Sequence, residues 1–135
     1  MSALLSFTVY GRPEPQGSTR AFVVKGRAVV TSANPNIKGW RDLIASEARV
    51  QMQGLPPVDG PVEVRASFYL PRPKSVKRVS PTVKPDLDKL ARGVLDSLTN
   101  VVYRDDAQVT SLQVSKHYVT AEVPNPCVSI WVGTE

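Results

Sequence analysis

The sequence predicts an α+β fold: a single small domain over residues 1–135, with a mixed sheet of about five to six strands and two main helices packed on it. Three observations predict it. Several segments alternate apolar and polar residues at a period of two, most cleanly VEVRASFYL at 62–70. Two others, around IKGWRDLIASEARV and DLDKLARGVLDSL, carry apolar residues at helical spacing. A length of 135 residues suits one core, of a size that buries roughly two-thirds of its unfolded surface.

Taken in order, Leu5, Phe7 and Val9 alternate with Ser6, Thr8 and Tyr10, which is the pattern of a half-buried strand. GRPEPQGSTR then breaks it with Gly11, Pro13, Pro15 and Gly17, so a loop follows. AFVV and RAVV flank Lys25-Gly26, the signature of a tight hairpin. Asn34 before Pro35 predicts a helix start, with Ile37, Trp40, Ile44 and Ala48 on its inner face and an end by Gly54. Val62, Val64, Ala66, Phe68 and Leu70 line one side of the clearest strand. After a proline-rich stretch, Leu87, Leu90, Ala91, Val94, Leu95 and Leu98 form the apolar stripe of a second helix. Val101–Tyr103 reads as a short strand or extended piece and Arg104-Asp105-Asp106 as a turn, while VTSLQVSKHYV and CVSIWV read as late strands. No internal repeat or low-complexity tract occurs.

Composition narrows the function classes. No apolar run approaches the ~20 residues of a membrane span, and MSALLSFTVY lacks the basic start and long apolar stretch of a secretory signal. A cytoplasmic protein with no membrane partner is expected. A lone Cys127 cannot form an internal disulfide, and with one histidine, His117, no Cys/His zinc set exists, so any metal must sit on carboxylates. Seventeen Lys and Arg against twelve Asp and Glu give a formal +5 and favour polyanionic partners. The charge is concentrated. PRPKSVKRVSPTVKP, at 71–85, holds Arg72, Lys74, Lys77, Arg78 and Lys84 with no acid, and its four prolines predict a basic, extended loop. That loop is either a solvated connection or a surface for phosphates.

Immediately after it stand Asp86 and Asp88, and Asp105-Asp106 follow the second helix. Two residues apart inside a helix, Asp86 and Asp88 would diverge by about 200°. With Pro85 favouring an extended approach, Asp86 is expected at the cap and Asp88 in the first turn. Arg92 and Asp96 continue from Asp88 at four-residue steps as a polar ridge. One reading makes these acids caps and surface ion pairs. The other brings the distant pair back past Asn100 to the helix start. Three carboxylates ~5 Å apart would then repel by roughly 3 kcal/mol per pair at an effective dielectric near 20, which demands protons or a hard cation such as Mg²⁺ or Mn²⁺. Lys116 lies on the same side of its strand as Leu112, Val114 and Tyr118, either as a rim residue reaching solvent or as a phosphate contact. His117 is expected on the opposite, exposed side, and Trp40 and Trp131 in the core or an interface.

PDLDKLARGVLDSL, then VYRDDAQV and Lys116, resemble the RusA family of Holliday junction resolvases over Lys84–Tyr118. The resemblance implies a homodimeric, Mg²⁺-dependent endonuclease acting on four-way DNA junctions. It implies that Asp86, Asp88 and Asp106 are the essential metal-binding aspartates, with Asp105 a possible additional acid. Many relatives are carried by bacteriophages or prophages, which makes that origin an expectation here. A basic catalytic residue falls on Arg92. The family more often has lysine there, and asparagine where this chain has Lys89. Arginine can offset phosphate charge but is a poor proton donor. The expected DNA contacts are Arg72, Lys74, Lys77, Arg78, Lys84, Lys89 and Lys116. Two other classes remain open: an inactive junction-binding module, and a DxD transferase, for which the chain has no glycine-rich phosphate cradle.

Overall fold

In the computed structural model the chain runs β1 (Ser2–Tyr10), β2 (Thr19–Val24), β3 (Arg27–Ser32), α1 (Ile37–Met52), β4 (Val62–Leu70), α2 (Leu87–Leu98), β5 (Val109–Tyr118) and β6 (Cys127–Thr134), with a 3-10 turn over Asp106–Gln108 ahead of β5. It describes the backbone of residues 1–17, 19–32 and 34–135, and their side chains except at residues 19–22, 24 and 29–32. The expected α+β class with two helices on a mixed sheet is the observed one. Among the described residues the main sheet has four strands, in the order β1-β6-β4-β5, rather than the expected five to six, because β2 and β3 pair only with each other as a separate hairpin.

Alternation decides which face each strand buries. Leu5, Phe7 and Val9 of β1, Val62, Val64, Ala66 and Phe68 of β4, and Val128, Ile130 and Val132 of β6 all face the helices. Ile37, Trp40, Ile44, Ala48 and Met52 from α1 and Leu90, Val94 and Leu98 from α2 meet them. Each fully buried aliphatic or aromatic side chain contributes roughly 1.5–3 kcal/mol, so this one layer between helices and sheet holds the fold. Gly93 permits the close helix crossing, since a Cβ there would stand 3.2 Å from Ile37 Cδ1.

β4 and β5 are parallel, whereas β1-β6 and β4-β6 are antiparallel. A parallel neighbour needs a long crossover, and α2 supplies it. The β4-α2-β5 unit therefore brings the end of β4, the start of α2 and the end of β5 to one edge.

Local chemistry accounts for most boundaries. Lys25 (φ 50°) and Gly26 (φ 77°) both take positive φ, the two-residue turn whose twist suits a hairpin. α1 begins at Ile37, two residues later than the Asn34 signal suggests. Asn34 still organises the entry, because its Oδ1 accepts from the Asn36 amide at 3.0 Å. The helix ends on left-handed Gln53 and Gly54, as expected. The GRPEPQGSTR loop holds for residues 11–17; Ser18 lies outside the described residues, and Thr19 and Arg20 already belong to β2. Val101–Tyr103 is not a strand. Asn100 at φ 65° turns the chain, its amide donates to the Tyr103 carbonyl, and only isolated bridges to Val58 and Thr99 form. None of the helices among the described residues is long and apolar enough to cross a membrane.

Candidate active site

The parallel strands end together, with the Val119 amide donating to the Leu70 carbonyl at 3.0 Å. α2 starts at the same edge. The carboxyl ends of parallel strands, beside the crossover helix, are where α/β units open toward ligands. Two proline-rich loops wall this opening. Residues 71–85 form one side. Residues 11–17 form the other, fixed by the Gln16 amide donating to the Lys89 carbonyl at 3.0 Å and Asn34 Nδ2 donating to the Pro15 carbonyl at 2.8 Å. Between them lies an open cavity of about 620 Å³, floored by Leu70 and Tyr118, with Asp86 and Lys89 at its α2 end. Arg12, Arg72, Arg78 and Lys84 also line it.

The 71–85 loop is turned upon itself rather than extended. Arg72 is the cause: its guanidinium donates to the carbonyls of Val76 and Arg78, at 3.2 and 2.9 Å, drawing the loop into a bend. Arg78 Nε in turn donates to Tyr118 Oη at 3.0 Å, and both guanidinium groups stand within 6 Å of the Tyr118 ring centroid. Of the expected DNA contacts, Arg72 and Arg78 thus shape the wall. Lys74, Lys77 and Lys84 are exposed, and no hydrogen bond or ion pair engages their ammonium groups among the described residues.

The acids divide into engaged and open groups. Asp86 occupies the N-cap of α2 in an extended conformation (φ −70°, ψ 139°), and Asp88 sits in the first turn, as expected. Asp86 makes no side-chain cap hydrogen bond, so capping does not account for it. Asp105 does cap: its Oδ1 accepts from the Ala107 amide at 2.9 Å. Gln108 completes the box, its Oε1 accepting from the Arg104 and Asp105 amides at 2.9 and 3.0 Å. Gln108 Nε2 also donates to the carbonyls of Val58 and Gly60, which pins the acidic turn to the chain entering β4. Asp86, Asp88 and Asp106 have no such partner among the described residues. Nor are they gathered: among the described residues, no three His, Cys, Asp or Glu side chains form a group that could hold a metal ion.

The ridge on α2 is also only partly paired. Asp96 bonds across to α1, 3.6 Å from Arg41, rather than to Arg92. Arg92, one turn beyond Asp88, is exposed and without an ion pair or hydrogen bond among the described residues. Lys116 is tied into the chain rather than reaching free into solvent. Its register opposite Phe68 puts it on the helix side of the sheet, where Nζ donates to the carbonyls of Val83 and Pro85 at 2.8 and 2.9 Å. It ties β5 to the residues directly ahead of Asp86. His117 points the other way, stacked on Tyr69 with centroids 5.2 Å apart. Trp40 is core, while Trp131 lies on the outer face beneath the Arg65 guanidinium, 4.1 Å from its ring centroid.

Tyr103 places the returning chain. Wholly buried, it donates from Oη to the Leu95 carbonyl at 2.7 Å, so the segment bearing Asp106 runs beside the second half of α2. Burial pushes its phenol pKa well up; a Thr99 hydrogen bond opposes this, and the nearby charges of Asp106 and Asp96 add to it. The unfolded chain releases that proton near pH 10 while the folded chain keeps it, so the contribution to stability is whole below about pH 10 and is lost as pH rises further. Thermal unfolding of the wild type is therefore expected to fall more steeply above pH 10 than that of Tyr103→Phe. Parallel curves for the two proteins would disprove it.

Two contributors escaped the sequence reading. Gln108 was legible in principle, because D-x-x-Q has capping-box spacing. Tyr118 as a cavity floor carries no local signal, since only the β4-β5 register puts it beside Leu70.

A family model described as Endodeoxyribonuclease RusA matches residues 12–130. Among curated proteins, the uncharacterized YqaN of Bacillus subtilis (strain 168) is 34% identical over 128 residues, a match spanning 84% of this chain and 87% of the relative.

Proposed function

We propose a function from one premise: the chain belongs to the RusA family of endodeoxyribonucleases. Within that activity, the substrate is the four-way DNA junction, cut by paired nicks in a reaction that needs Mg²⁺ or Mn²⁺ and two copies of the chain. The observation that carries this reading is the combination of open carboxylates, Asp86 and Asp88, with a cation-lined cavity at the same edge of the sheet.

The donor set suits the ion. Mg²⁺ is commonly bound by one or two carboxylates together with substrate phosphates rather than by an all-protein cage. Asp86 and Asp88 at the helix mouth would hold it once a phosphodiester supplies the remaining oxygens; Asp106, on the turn beside the second half of α2, would have to draw toward them on binding to complete the set. The ion would stabilise charge on the phosphate and lower the pKa of water. The remaining work falls to the chain. The backbone directly ahead of Asp86 is tied to β5 by Lys116. Arg92, on the Asp88 face, offers a planar guanidinium to a phosphate oxygen and remains charged throughout. Lys74, Lys77 and Lys84 hold backbone phosphates and set the strand's position without reading its sequence. A two-fold dimer would present two such sites to a junction with approximate two-fold symmetry.

Incubating the protein with an end-labelled four-way junction, in Mg²⁺ and in EDTA, tests this directly. Symmetric nicks only in Mg²⁺ are expected; a junction left whole in both, though bound, would favour the inactive junction-binding module. That second reading has its own support in Arg92 and Lys89, where the family more often has lysine and asparagine. The phosphate contacts have a separate signature. Lys77→Ala and Lys84→Ala should each reduce the slope of log affinity against log salt by about 1, uniformly across junction sequences. An unchanged slope would remove that lysine from the contact surface.

A further inference from the structure

We infer that the cavity between the two proline loops receives one unstacked deoxynucleotide of the DNA strand, base inward, beside Asp86. This rests on the nuclease reading above and adds a subsite to it. A groove that only follows a phosphate backbone needs exposed cations and nothing beneath them. This cavity is lined by more apolar than polar surface. Leu70 and Tyr118, each 5% exposed, form its floor, and Pro71, Pro73, Pro81 and Val83 present flat or branched apolar faces above them. At about 620 Å³ it lies within the range of roughly 300–1,000 Å³ typical of small-ligand pockets.

The charge distribution complements a nucleotide rather than a neutral ligand. Arg12, Arg72, Arg78, Lys84 and Lys89 border the cavity against Glu14 and Asp86, an excess of positive charge suited to the flanking phosphates. Tyr118 is fixed by the Arg78 hydrogen bond at 3.0 Å, and the Arg72 bend fixes the wall beside it. Such a pocket also gives a physical basis for choosing junctions. A base leaves the stack most cheaply where stacking is already interrupted, and strand exchange at a branch point interrupts it.

The test uses the full chain and four-way junctions carrying 2-aminopurine at one position at a time, from three nucleotides before to three after the mapped nick, in EDTA so that no strand is cut. At protein concentrations that saturate the junction in a gel shift, one position should show a severalfold rise in fluorescence as its base leaves the stack, and neighbouring positions should not. Val83→Trp and Pro73→Trp fill the cavity from two exposed points of the loop. Each should abolish the signal while the junction still shifts. A bound junction with no responsive position would overturn the inference, as would a response unaltered in both tryptophan variants that melt like the wild type. Failure of the wild type to bind any junction would instead overturn the function from which the inference proceeds.

Discussion

Asp88→Asn is expected to lower junction nicking in Mg²⁺ by about a hundred- to a thousandfold, the scale of losing one group that stabilises the transition state. Junction affinity should be unchanged or somewhat higher. The substitution keeps the shape of the side chain and removes a negative charge next to the phosphate that must approach it. Asp88 makes no ion pair or hydrogen bond from its side chain among the described residues, so its loss should not unfold α2. Asp105 and Asp106 supply an internal control, because adjacent carboxylates have different surroundings. Asp105 is a cap, a role asparagine also fills, and Asp105→Asn should nick at close to the wild-type rate. Asp106 is open, and Asp106→Asn should resemble Asp88→Asn. Nicking that survives in Asp88→Asn, or an order of sensitivity reversed between Asp105 and Asp106, would remove the three open aspartates from the chemistry.

The second large effect is expected at Lys116, which lies outside the acidic set. Lys116→Met keeps the apolar stem but deletes the donor to the Val83 and Pro85 carbonyls. Residue 85 is the last before Asp86, so the N-cap carboxylate loses the tether that fixes its height relative to β5. Loss of such an outer support typically lowers metal affinity or activity about ten- to a hundredfold. Nicking should fall by that amount, and the Mg²⁺ concentration for half-maximal rate should rise. A purely structural role would move the melting temperature without moving the Mg²⁺ requirement. Junction affinity should change little, because two of the three ammonium donors are already engaged by carbonyls. A Lys116→Met protein with wild-type rate and Mg²⁺ dependence would show the tether to be dispensable.

These two residues also mark how far the chain could be read before it was folded. Asp88 was legible as a first-turn acid because helix starts are encoded locally, by Pro85 and the leucine stripe that follows. Lys116 was legible only as a cation interrupting an apolar alternation. Its partners lie 33 and 31 residues earlier in sequence, across a parallel pairing that no local pattern specifies. The basic loop shows the same limit. Its charge and prolines are explicit in PRPKSVKRVSPTVKP, yet the bend comes from Arg72 reaching carbonyls at Val76 and Arg78, a competition between side chain and solvent that composition does not decide.

The sequence by itself determined the elements, the faces they bury and the residues able to bind a cation or a phosphate, because propensity, alternation and charge act over a few neighbours. Tertiary structure alone decided that Asp96 pairs with Arg41 rather than Arg92, that Lys116 ties down the approach to Asp86, and that Leu70, Tyr118 and two proline loops line one cavity. Those outcomes depend on the register of parallel β4 and β5 and on the crossover through α2. Such pairings are fixed by the summed burial of the whole core rather than by any one segment.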